Sequence, residues 1–93
     1  MSTIDVYPEH HGTALSLAHA LGELGLAASR ADDREIVKAV MGALRKLEDK
    51  AERNGDTSAE IEDWAVASQY WQEAGEFRRQ RAVILGITED DPF

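Results

Sequence analysis

The chain has 93 residues, no cysteine, and 18 acidic against 10 basic side chains, for a formal net charge of −8. The missing cysteines exclude a disulfide framework, a zinc ribbon and a thiolate nucleophile, and fit a reducing, cytoplasmic setting. The acidic balance disfavours direct contact with nucleic acid or an anionic membrane, because like charges repel over a Debye length of about 8–10 Å. It suits solubility, or a basic partner.

A chain this short buries only about 60–65% of the surface of its unfolded form, so another protein or a second copy of the chain is expected to contribute to stability. The opening MSTIDVYPEHHG has no basic region followed by an apolar run and does not read as a signal peptide. No window approaches the ~18 apolar residues of a membrane span.

The two prolines, Pro8 and Pro92, lie near the ends, and only glycines and polar turns interrupt helix formation between them. The expected fold is all-α: a small bundle of three helices in antiparallel hairpins, or four if the last helix breaks near Gly75. One helical domain is expected, with flexible ends at about 1–12 and an acidic tail at about 87–93. The first helix is predicted over Thr13 to Ser29, with Leu17, Leu21 and Leu24 at helical spacing and Ala14, Ala18 and Ala28 beside them. Gly22 and Gly25 weaken it by about 1 kcal/mol each relative to alanine, which points either to close helix approach or to tolerance.

The segment ADDRE offers Asp32 as N-cap of the second helix, with Glu35 completing a capping box. From there Ile36, Val37, Val40, Met41, Leu44 and Leu47 recur at helical spacing, with Arg34, Lys38, Arg45, Lys46, Glu48, Asp49 and Lys50 on the solvent side. Asn54-Gly55 reads as its stop, and Thr57 with Glu60 as the capping box of a third helix that opens near Ser58 and reaches about Leu85. Gly86 is a plausible C-cap, and Glu89, Asp90 and Asp91 form the acidic end.

Within this frame, LGLAASRADDREIVKA and WAVASQYWQEAGEF are similar to pieces of tetratricopeptide helical hairpins, with a tryptophan, an aromatic and a Gly-acid-aromatic corner in the second. They lie farther apart than that family's period of about 34 residues, and Val37 and Gln80 stand where its small alanine belongs. The likeness is therefore one of helical hairpins and assigns no family.

The third helix carries Trp64, Tyr70, Trp71 and Phe77, four of the six aromatic residues in the chain. On a helical wheel these rings fall with Val66, Ala67 and Ala74 in an arc of about 160°, wider than the ~100° needed against one neighbour. Either the helix packs between two others with both indoles in the core, or one flank packs at home and the other is presented to a partner. Gln69, Gln72, Glu62, Glu73 and Glu76 form a strip expected to face water. Arg78, Arg79 and Arg81 follow the rings and read as a solvated or macrodipole-complementing cluster, or as a polar rim able to grip a carboxylate or phosphate.

His10, His11 and His19, with Glu9 and Glu23, are the only candidates for metal or acid–base chemistry, and His19 with Glu23 supplies only two donors on one face where a site needs three or four. No nucleophile elbow and no glycine-rich phosphate loop is present, so neither enzymatic activity nor a cofactor is expected. The expectation is a non-enzymatic adaptor, chaperone-like or regulatory module that binds another protein or a second copy of itself as a homodimer, with Trp64, Tyr70, Trp71, Phe77, Arg78, Arg79 and Arg81 as partner-binding residues. The alternative is an acidic inhibitor that imitates nucleic-acid charge, as some phage counter-defence proteins do, using the Glu/Gln strip with Asp32, Asp33 and the acidic tail. A weaker alternative is a histidine-dependent metal site.

Overall fold

A computed structural model describes the backbone of residues 3–88 and the side chains of residues 11–86. Three α-helices follow one another: α1 (Thr3–Arg30), α2 (Arg34–Glu60) and α3 (Trp64–Thr88). No strand occurs among the described residues, and each helix touches the other two, α2 and α3 most extensively. The long dimension of 46 Å is close to the ~42 Å of a single 28-residue helix, so every helix runs nearly the length of the molecule.

Three boundaries differ from the sequence reading. The backbone of α1 is helical from Thr3, ten residues ahead of the expected Thr13. Helix α2 does not stop at Asn54-Gly55 but continues to Glu60, and α3 begins only at Trp64, so the Thr57/Glu60 capping box is unused. Helix α3 is also unbroken at Gly75, which removes the fourth helix. A Cβ at Gly75 would meet nothing within 4 Å, so this glycine costs propensity without imposing a corner. The expected tail residues Glu89, Asp90 and Asp91 lie outside the described residues.

Both chain reversals use one device. After α1, Asp33 N donates to Ala28 O at 2.8 Å and Asp32 N to Ser29 O at 3.0 Å; after α2, Asp63 N donates to Ser58 O at 2.9 Å and Glu62 N to Ala59 O at 2.9 Å. These are the paired bonds of a Schellman stop, with Asp32 (φ 58°) and Glu62 (φ 62°) in the left-handed position where glycine is usual. The next residue starts the next helix: Asp33 Oδ1 accepts from Ile36 N at 3.2 Å, and Asp63 Oδ1 from Val66 N at 3.4 Å. The N-cap of α2 is thus Asp33 rather than Asp32. Glu35 then falls one residue short of the third helical position that a capping box requires.

Small residues bring α1 close. Ala18, Gly22, Gly25 and Ala28 are its buried stripe, whereas Leu17 and Leu24, expected to face the core, are 42% and 49% exposed. The reason is steric. A Cβ at Gly25 would overlap the Ile84 side chain and come within 3.2 Å of Val40 Cγ1, and a Cβ at Gly22 would overlap the amide end of Gln80. Close approach explains Gly25, which faces the packed Ile84 and Val40, whereas at Gly22 the overlap is with the movable end of Gln80. Ala18, Val40, Leu44, Phe77 and Ile84 form the buried centre, with Leu21, Leu26, Val37, Met41 and Leu47 packed around it. Ile36, counted with the apolar stripe of α2, lies 41% exposed.

Candidate functional site

Helix α3 packs on both neighbours, and this decides the fate of its side chains. One flank faces α1 through polar residues. His11 Nδ1 donates to Glu73 Oε2 at 2.9 Å, Gln80 Nε2 donates to Glu76 Oε2 at 2.9 Å, and His19 Nε2 lies 3.4 Å from the same oxygen. Glu73 is buried and the Glu76 side chain is only 11% exposed. The expected water-facing Glu/Gln strip is therefore, at Glu73 and Glu76, part of a seam between helices that Gln80 also joins, because the small stripe of α1 lets α1 cover it. The hydrogen bond from Gln80 holds the Glu76 carboxyl below the ordinary glutamate value; burial pushes it the other way, and the Arg79 hydrogen bond and charge add to the lowering.

The other flank faces α2 through the arginines. Arg78 Nε donates to Glu48 Oε2 at 2.8 Å and its Nη2 to Glu52 Oε2 at 2.6 Å. Arg81 Nη1 lies 2.7 Å from Glu48 Oε1, an ion pair close in distance but not aligned as a hydrogen bond. Glu48, placed on the solvent side by the sequence pattern, is buried and serves both arginines. Arg79 pairs with Glu76 at 2.5 Å within α3. The three arginines expected as a partner-facing rim each pair with a carboxylate of this chain, Arg78 and Arg79 with more than half of their side chains still exposed and Arg81 largely covered.

The aromatic residues divide. Phe77, expected as a docking anchor, is 3% exposed in the core. Tyr70 is half-buried and lines, with Ala14, Leu17, Leu47, Ala51 and Phe77, a pocket of about 150 Å³ among all three helices. That is below the ~300–1,000 Å³ of usual ligand pockets. Trp71 is 41% exposed, with its pyrrole edge in the space a Cβ at Gly55 would need, and its Nε1 donates to Asp56 Oδ1 at 3.3 Å. Gly55 is thus a seat for an indole within α2 rather than a helix stop. Trp64 is 59% exposed, and Ile61, which the sequence reading passed over, is 74% exposed in the adjoining turn.

Ile61 lies in the turn, Trp64 is the first residue of α3, and Trp71 stands two turns on along the same flank, with Ala67 buried and Ser68 exposed between the two indoles. These three residues sit among the carboxylates of Asp56, Glu60, Glu62 and Asp63, all exposed. No Lys or Arg occurs between Asn54 and Phe77.

The histidines do not converge. His11 is used by Glu73, His19 lies beside Glu76 and Gln80 rather than Glu23, and His10 lies outside the residues whose side chains are described. Among the described residues no group of three His, Cys, Asp or Glu side chains is placed to hold a metal ion, and no helix is long and apolar enough to cross a membrane. Comparison with known protein families, with curated proteins and with solved structures gave no match.

Proposed function

We propose that this chain is a non-enzymatic interaction module of the cytoplasm, a small antiparallel three-helix bundle that docks another protein at its α2–α3 turn. The observation that carries the reading is the exposure of Ile61 (74%), Trp64 (59%) and Trp71 (41%) around one turn. Tryptophan is enriched at binding hot spots, and three large apolar side chains left exposed around one turn of a small acidic protein mark a surface that is covered in the working state. The anchors of this reading are Trp64, Trp71 and Ile61, with Tyr70 at the pocket beside them. Phe77 supports the surface from within the core, and Arg78 and Arg81 tie α3 to α2 through Glu48 and Glu52.

The acidic-mimic reading is the weaker one, because Glu73 and Glu76 of the strip it relied on face α1 and pair with His11, Gln80 and Arg79. The test is capture from host extract with the wild-type chain, a Trp64→Ala/Trp71→Ala double variant and Leu24→Ala, an equally exposed apolar residue elsewhere. A protein retained by wild type and Leu24→Ala but lost from the double variant supports the assignment. Retention of the same proteins by all three contradicts it.

A further inference from the structure

Resting on the reading above, the kind of partner can be drawn from the two reversals of the chain. They share hydrogen bonds, left-handed residue and aspartate cap, thirty positions apart, so the first serves as an internal control for the second. At the α1–α2 turn the residues before the left-handed position and after the cap are Ala31 and Arg34; at the α2–α3 turn they are Ile61 and Trp64. The backbone device therefore requires neither an isoleucine nor a tryptophan, and the fold does not bury them.

Within the α2–α3 turn itself the charge is of one sign, the nearest cations in sequence being the exposed Arg53 of α2 and Arg78 of α3. Asp56, Glu60, Glu62 and Asp63 are exposed, and none forms an ion pair among the described residues. The arginines of α3 pair with Glu48, Glu52 and Glu76, which offset their charge. A second copy of the chain meeting this patch about a two-fold axis would set the same carboxylates against one another. Nucleic acid and anionic lipid meet the same repulsion. What fits is an apolar residue flanked by Lys or Arg, whose cations lie over indole faces and against carboxylates at once.

We propose that the acid-rimmed surface of Ile61, Trp64 and Trp71 docks a basic amphipathic segment of another protein, with Trp64 and Trp71 taking its apolar and cationic side chains and Glu60, Glu62 and Asp63 its remaining charge.

The chain carries only two tryptophans, so its own emission reports the site. The full chain is titrated with three synthetic amphipathic peptides that share one apolar face and differ in their flanking residues: Lys/Arg, Gln or Glu. The basic peptide is expected to bind saturably, about tenfold or more tighter than the Gln peptide at low salt, with affinity falling as salt rises. By calorimetry Trp64→Ala should lose about thirtyfold, and Glu60→Gln/Glu62→Gln about tenfold. Arg34→Ala and Leu24→Ala should lose nothing. Equal binding of the Gln and Lys/Arg peptides, or binding of none, overturns the basic partner while the capture experiment still decides whether the surface docks a protein. Unchanged binding of the basic peptide by Trp64→Ala, with full loss in the glutamate variant, marks mere polyelectrolyte attraction and overturns it as well.

Discussion

The α1–α2 and α2–α3 turns solve one problem with one backbone and present different surfaces. In the first, the left-handed Asp32 has the guanidinium of Arg34 3.9 Å away, and Ala31 offers little to a partner. In the second, the same positions carry Glu62, Trp64 and Ile61, and all three are exposed. The difference teaches which residues the fold requires. Residues shared by both turns serve the reversal, and residues found only in the second, apolar and exposed, are free to serve something else.

The sharpest way to break this comparison is to exchange what differs. Trp64→Ala is expected to cost a partner complex about 2 kcal/mol or more while leaving the urea midpoint of the free chain almost unmoved, since the ring is 59% exposed; Arg34→Ala should change neither. Next come the shared caps. Asp33→Ala and Asp63→Ala should each lower stability by about 1 kcal/mol, and clearly unequal losses in urea titrations would mean the turns are not equivalent. Smaller still, Asp32→Gly and Glu62→Gly relieve a left-handed residue and should gain about 0.5–1 kcal/mol, more at Glu62, because aspartate tolerates that conformation better than glutamate. If the basic partner is right, Glu62→Gly is more stable and binds less well.

The smallest effect lies away from both turns. Because the folded-state pKa of Glu76 is lowered from about 4.5, its stabilisation is fully present above that value and disappears as pH falls through the lowered pKa. Glu76→Gln should therefore flatten the acid limb of a stability-against-pH curve, whereas Asp33→Ala and Glu62→Gly should leave that part of the curve in place.

How much of this was legible in the sequence depended on whether local pattern or tertiary contact decided the outcome. The all-α class and the burial of Val40 and Leu44 followed from helical spacing, which α2 displays over its whole length. The glycines were misleading for opposite reasons. Gly55 looked like a stop but provides the seat for Trp71, and Gly75 looked like a corner but lies in open space within a helix. True stops fell on Asp32 and Glu62, residues for which a left-handed conformation is not the rule.

The faces of α3 that a helical wheel separates meet different neighbours from those their polarity suggests. Its apolar arc implied two neighbours, which it has, but the packed face is rotated toward Glu73, Glu76 and Gln80, so the polar strip meets α1 and Trp64 and Trp71 fall at the edge of the α2 contact. A glutamate strip three and four residues apart looks solvated on any single helix; only the histidines and glycines of α1, more than fifty positions away, reveal that it is a seam. Likewise the arginines could not be assigned without Glu48, which no local pattern marks as buried.

The most direct measurement places a photo-crosslinking amino acid at position 64 in one version of the chain and at position 34, its counterpart in the first turn, in another, followed by irradiation in the native host. Discrete adducts to another protein at 64 and none at 34 are expected. Equal adducts at both positions, or adducts only at 34, would contradict the claim that the second turn is built to be covered.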